Sequence, residues 1–228
     1  MENLLQKLMV ESFERKQAGD AKSFEKLPFI TISREFGCQA NLLATMLKQE
    51  LDKRGKPWRI MNKEIIQNAA RELHMDSNVI GRIAEAFERT TIDEVLGALS
   101  SKYYKSDRKI RQTVATVVLN TAQSGRAIIV GRGGAAVTRG LQPAIHVHMI
   151  APIEWRLNSL MERHGLKREE TLKQLTETDH KRYKLIRDSI KGIESVENLY
   201  DLAIDCHLVS HQEMVELIMK LASLRKMI

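Results

Sequence analysis

Three groups of residues in this chain have the types and spacing to handle phosphate. The first is "SREFGCQAN", residues 33–41, which lies between the apolar run "LPFITIS" (27–33) and the helical pattern "NLLATMLKQELDKRG". A strand, a tight turn and a helix N-terminus in that order present free backbone N–H groups to an anion. A phosphate loop of pattern G-x-x-x-x-G-K-[ST] would place its fixed positions on Arg34, Gln39, Ala40 and Asn41, and none of them matches. Gly37 is the only glycine in the turn, Ala40 cannot reach a phosphate as lysine does, and Asn41 offers an amide oxygen in place of a hydroxyl. Arg34 adds positive charge. On local sequence a phosphate cradle and a plain strand-to-helix turn stand level.

The second group is "GRGG", residues 131–134, at the end of the apolar run "RAIIV". Gly131 and Gly133 let backbone approach a ligand closely, and the planar fork of Arg132 suits a phosphate. The third is "TDHKRYKLIRDSIK", where Asp179 and Arg182 are three apart and share one helix face. From 180 to 191 five cations (Lys181, Arg182, Lys184, Arg187, Lys191) face one acid, Asp188. Such a run is ordinarily a solvated helix; the functional alternative is a cover whose arginines close on bound phosphate, joined by Arg156 and Arg163. His146 and His148 alternate on one strand with no third ligand, which favours a structural role over metal binding. Cys38 sits in the loop, where only the helix position would activate its thiol; Cys206 belongs to the core.

These groups must be held by alternating strands and helices. Apolar runs predict strands at 27–33, 126–130, 144–152 and 201–209, with "WRIM" (58–61) a short one. Helices are expected at 3–17, 41–55, from Asn62 to about 74, in three pieces over 77–123, at 153–165 opened by Pro152, over 167–191, and after Ser210, which with Glu213 has capping-box spacing. The fold class is therefore α/β, a mainly parallel sheet covered on both faces. The large helical blocks at 62–123 and 167–191 are expected over the carboxyl ends of the strands, where ligands bind such sheets.

Composition agrees. The 228 residues are 43% hydrophobic and carry a formal net charge of +7, which favours anionic partners. Only 5% are aromatic, and no nucleic-acid-binding motif occurs, so nucleic acid is disfavoured as a partner. Two cysteines without CxxC spacing argue against a zinc site or a disulfide framework and fit a reducing compartment. The start, "MENLLQKLMVESFERK", lacks the apolar core of a signal peptide, and no apolar stretch is membrane-spanning. A cytoplasmic protein without membrane contact is expected, with the first helix a candidate for dimer contact.

Taken in order, "ITISREFG" (30–37), "NKEII" (62–66), "IIVGRG" (128–133), "APIEWRL" (151–157), D-x-x-R (179–182) and "LAIDCHLVSHQEMVELI" resemble the cytidylate-kinase-like family of P-loop nucleoside monophosphate kinases, from about residue 28 to 224. The resemblance implies a three-layer P-loop NTPase-like fold of about five parallel strands in a domain spanning 27–228. It also implies a helical monophosphate-binding insertion at about 62–123 and a helical lid at about 165–192, with residues 1–26 expected as an N-terminal helical extension outside the resemblance. It implies transfer of the γ-phosphoryl of ATP, with Mg²⁺, to CMP, dCMP or a related monophosphate. By position, Ser33, Gly37, Cys38, Gln39, Ala40 and Asn41 would hold donor phosphates, with Lys63, Gly131, Gly133, Arg156, Asp179 and Arg187 completing the nucleotide site. Arg34, Arg132 and Arg182 would stabilise the charge of transfer, with Asp179 against the base. No residue is assigned to a protein-held metal.

The family's loop usually runs S-R-E-[FY]-G-S-G-G-R. Here Ser33 to Gly37 match and residues 38–41 do not; Leu175 stands where a basic residue often precedes the lid aspartate, and Asn62 where an acid often precedes "KE". The alternative to an active kinase is therefore a catalytically impaired nucleotide- or anion-binding pseudokinase.

Overall fold

The computed structural model describes residues 27–62, 107–189 and 195–228. Five strands, β1 (Phe29–Arg34), β2 (Arg59–Met61), β3 (Ala127–Val130), β4 (Ala144–Ile150) and β5 (Leu202–Asp205), form one sheet in the order β2-β3-β1-β4-β5. Every pairing is parallel. The central strand β1 sets Ile32 beside Val130 of β3 and Val147 of β4. Its run of apolar and β-branched side chains, buried on both faces, is what a central parallel strand requires.

Helices α1 (Ala40–Asp52), α2 (Asp107–Ser124), α3 (Gly134–Val137), α4 (Ile153–His164), α5 (Arg168–Ser189) and α6 (His211–Leu224) connect the strands or flank them. Side chains of alternate strand residues separate the two faces. Ile30, Ile32, Val147 and Met149 share one cluster with Leu43, Leu47 and Leu51 of α1 and Met214, Val215 and Ile218 of α6. The three leucines recur every four residues and are almost wholly buried, each stabilising the fold by about 1.5–3 kcal/mol. The other face of β1 and β4 is polar: Thr31 Oγ1 lies 2.8 Å from His146 Nδ1, and His148 stacks on Tyr200 with centroids 4.5 Å apart.

The five strands lie where apolar runs predict them. Ser210 and Glu213 form the expected capping box: the Ser210 hydroxyl accepts from the Glu213 N–H at 3.3 Å, and Glu213 Oε2 accepts from the Ser210 N–H at 2.8 Å. Pro152 is the N-cap of α4 rather than its first turn, and the Arg156 N–H reaches its carbonyl at 3.1 Å. Of the helices expected over 77–123, α2 is the last. The expected helix at 3–17, the segment 63–106 and the end of the charged run at 190–194 lie outside the described residues.

Candidate active site

The turn from β1 into α1 lies at the carboxyl end of the central strand. Gly37 takes φ +103°, a left-handed conformation that favours glycine, and a Cβ there would stand 2.9 Å from Arg156 Cβ. Glycine is thus required twice, by the backbone angle and by the close approach of α4. The chain then enters α1 through Gln39, whose side chain makes no capping bond. The Ala40 methyl, 3% exposed, packs into the core cluster. Asn41 is exposed, and its Oδ1 accepts from Asn62 Nδ2 at 3.3 Å.

Arg156 organises the turn from below. It is 5% exposed; its Nε donates to the Ala151 carbonyl at 2.9 Å and its Nη1 to the Phe36 carbonyl at 3.1 Å. Nη1 also meets Asp179 Oδ2 at 2.5 Å, and Nε lies 3.3 Å from Glu35 Oε2. Glu35 in turn accepts from the Ala151 N–H at 2.9 Å. Burial of this guanidinium is tolerated because two carboxylates and two carbonyls surround it.

Helix α5 is fastened to the same turn. Asp179 Oδ1 accepts from the Phe36 N–H at 2.6 Å. Three residues on, Arg182 Nη1 donates to the Arg34 carbonyl at 3.3 Å, and its guanidinium lies over the Phe36 ring, 5.4 Å from the centroid. Arg163 of α4 donates to the Gly37 carbonyl at 2.8 Å. Beneath, Leu157, Leu160 and Leu175 pack together with Phe36 and Met161 at their edge. Leu175 replaces a charge with an apolar anchor that seats α5 on α4.

The glycine turn after β3 adjoins the loop. A Cβ on Gly131 would fall 1.9 Å from Arg34 Nη1, so the Arg34 guanidinium rests directly on this glycine. Arg132 follows with φ 61°, left-handed and unusual for a side-chain-bearing residue. Gly133, with φ 61°, is the N-cap of α3.

Of the residues singled out in the sequence, Arg34, Gly37, Gly131, Arg156, Asp179 and Arg182 are brought together around one turn, with Arg132 and Gly133 on the neighbouring one. Ser33 is buried at 5% at the end of β1, beside the Tyr200 hydroxyl. The Cys38 side chain, 8% exposed, packs in the core cluster that also holds Cys206, whose free thiol lies close to its own. That contact, then burial, pushes the Cys38 thiol far above its ordinary range, so it is inert rather than reactive. Arg187 is exposed on α5, and Lys63 lies outside the described residues. Sequence reading missed the work of Glu35 and Phe36, although both lie inside the matched "SREFG", and of Tyr200.

The histidines are held neutral. Burial lowers the pKa of both His146 and His148, outweighing the nearby carboxylates of Asp201 and of Glu197 and Asp179 respectively. Burial also lowers that of Arg182, against the pull of Asp179, but a guanidinium keeps its proton. The site is thus a set of fixed cations around a turn that already holds two carboxylates.

The model of the cytidylate kinase-like family matches residues 29–207. The chain belongs to that family. Two solved structures share its fold. One is an uncharacterized protein from Eubacterium ventriosum, 16% identical, covering 88% of this chain and 100% of the other, with a TM-score of 0.59. The other is shikimate kinase from Bacteroides thetaiotaomicron, 11% identical, covering 86% and 96%, with a TM-score of 0.50. No curated protein matches the chain. The cytidylate kinase-like membership and these folds make it a kinase-like α/β protein with a P-loop kinase architecture. Among the described residues no helix is long and apolar enough to cross a membrane.

The resemblance of the loop also implies magnesium. At the position of the metal-holding hydroxyl stands Asn41, whose Oδ1 is engaged by Asn62. Glu35 and Asp179 are both engaged by Arg156, and among the described residues no three His, Cys, Asp or Glu side chains converge. These residues do not fit a magnesium ion held by the loop.

Proposed function

We propose that the protein binds ATP and a nucleoside monophosphate, CMP, dCMP or a close relative, above the carboxyl ends of β1, β3 and β4, and transfers the γ-phosphoryl between them. The single observation that carries this is the fastening of Arg34 and Arg182 to one loop, with the Arg34 guanidinium lying on Gly131. A loop lysine would supply one movable charge; two arginines anchored on either side of the turn supply charge from fixed positions. In this reading a bond forms between an acceptor phosphate oxygen and the γ-phosphorus while the bond to the bridging oxygen of ADP breaks. The protein forms no covalent bond, and positioning and charge neutralisation do the work. Arg132 faces the acceptor phosphate, residues 62–123 supply the acceptor insertion, and residues 165–192, including α5, act as the lid. The two free, buried cysteines suit a reducing cytoplasm.

A second reading, a nucleotide- or anion-binding pseudokinase, is favoured by one feature. The Phe36 N–H is already taken by Asp179, and Ala40 turns its methyl into the core. One nucleotide panel separates the two. The kinase reading expects ADP release from ATP with one of CMP, dCMP or UMP, and loss of at least tenfold in rate for Arg182→Met. A thermal shift with nucleotide, abolished by Arg132→Ala, but no ADP release with any monophosphate, decides for the pseudokinase. Neither shift nor turnover refutes both.

A further inference from the structure

A cleft of about 300 Å³ opens at the amino ends of the strands, the end opposite the loop. Four cations line it: Arg54 and Lys56 from the turn after α1, Arg126 from the residue before β3, and Lys226 from the segment after α6. Trp58 and Met227 supply apolar wall, and no Asp or Glu is among the lining residues. None of the four cationic groups is paired with a carboxylate among the described residues. The acids on adjoining segments are engaged elsewhere. Asp52 pairs with Lys48 and accepts from the Trp58 N–H at 2.7 Å, and Asp201 pairs with Arg225 at 2.6 Å. Four like charges converge on one concavity, offset only in part by the terminal carboxylate of Ile228, which also lines it, so positive potential concentrates there.

The backbone holds two of these cations in costly conformations. Three non-glycine residues among those described have positive φ: Arg132 in the glycine turn, Arg126 at 45° and Lys226 at 54°. The latter two both line the cleft. The Arg126 N–H donates to the Pro28 carbonyl at 2.6 Å and its carbonyl accepts from the Arg59 N–H at 2.9 Å, while the Lys226 N–H reaches the Ser223 carbonyl at 3.0 Å. At Lys226 the left-handed angle is the close of α6, sealed by the Met227 N–H on the Ala222 carbonyl at 2.9 Å; at Arg126 it is held by the two bonds to neighbouring segments, and such enforced angles gather at ligand sites.

We infer that this cleft is a second anion site, separate from the loop, for a compact polyphosphate such as a pyrophosphate group. Its volume is at the small end of ligand pockets, about 300–1,000 Å³. Trp58 is 5% exposed and offers a wall rather than a stacking platform, which excludes a large ring system. Four cations match the charge of a pyrophosphate better than that of a monoanion. Residues 1–26, which precede Leu27 in the sequence, carry five acids (Glu2, Glu11, Glu14, Asp20, Glu25) against five bases (Lys7, Arg15, Lys16, Lys22, Lys26), so they bring no excess negative charge.

The test uses the full chain with Trp155→Phe, which leaves Trp58, of the two tryptophans, as the only fluorophore of its kind. Titration with sodium pyrophosphate at constant ionic strength is expected to give a saturable change in Trp58 emission. Lys56→Glu with Lys226→Glu should weaken it at least tenfold, Arg54→Gln with Lys56→Gln should weaken it less, and Arg132→Ala should leave it within twofold. Unchanged urea midpoints confirm that the variants fold. The inference is overturned by no saturable change, as expected if residues 1–26 fill the cleft; by a change that survives both double variants; by equal response to sulfate at matched ionic strength; or by loss in Arg132→Ala, which would place pyrophosphate at the loop.

Discussion

Arg156 is the residue on which the loop depends. It binds Glu35, Asp179 and two carbonyls from a position 5% exposed, so no shorter or neutral side chain can replace it. Arg156→Met is expected to destabilise the protein by about 2–3 kcal/mol, discounted from the full cost of breaking a buried pair because both carboxylates are partly solvated. Urea unfolding measures it, and Arg156→Lys should recover less than half, since an ammonium cannot span the same partners. His146 sets a pH dependence. Burial lowers its pKa in the folded state, whereas the unfolded imidazole takes a proton near its ordinary 6.5. Below that value the unfolded chain binds more protons than the folded one, so stability falls as pH drops from 6.5 through the lowered pKa. His146→Asn should make the urea midpoint fall less steeply across that window, leaving the share of His148, whose pKa burial also lowers, and the contribution of Asp201, whose carboxyl Arg225 and His146 hold low against its burial. An unchanged slope would show that His146 is not buried neutral.

At the scale of elements, α5 adds apolar contacts to its polar grip on the loop. Leu175, 1% exposed, is its buried leucine against Leu157 and Leu160, while most of its surface is charged and exposed. Leu175→Ala should cost about 2 kcal/mol, and hydrogen exchange should localise the loss to amides of 168–189 with β1 and β4 unaffected. Equal acceleration across the sheet would mean that α5 is part of the global core. The strands and most helix limits were legible in the sequence because continuous β-branched runs and capping residues act locally. The grip on the loop was not. Arg156 meets Phe36, and Arg163 meets Gly37, across more than a hundred residues, and no spacing rule reports such pairings. Leu175 stood out in the sequence as a departure from a charged pattern; only packing reveals that the departure seats the helix.

For the whole molecule, the sheet separates two ends with different chemistry. The carboxyl ends carry the arginine-lined loop, and the amino ends carry the basic cleft. Between them the core holds both thiols, Cys38 and Cys206, in one cluster with the inner side chains of β1 and β4. Alkylation by iodoacetamide at pH 8 should therefore be slow in the native protein and accelerate with urea in step with loss of helical ellipticity. Rapid labelling of Cys38 without unfolding would show that the loop opens independently of the core. Membership of a kinase-like family was legible from ordered motifs scattered over the chain; the amino-end cleft was not, because its lining comes from five separate segments that no single motif marks.

The bond from the Phe36 N–H to Asp179 makes the helix carboxylate a tethered competitor for any anion that would use that N–H. Any anion that needs this N–H must first wait for, or evict, a group that never diffuses away. Its apparent dissociation constant is then the intrinsic one divided by the fraction of molecules in which Asp179 has let go, a tenfold loss for each ~1.4 kcal/mol by which the docked form is favoured. Binding of such an anion would accordingly stay hyperbolic but move to higher concentration by a factor set by the strength of one hydrogen-bonded carboxylate.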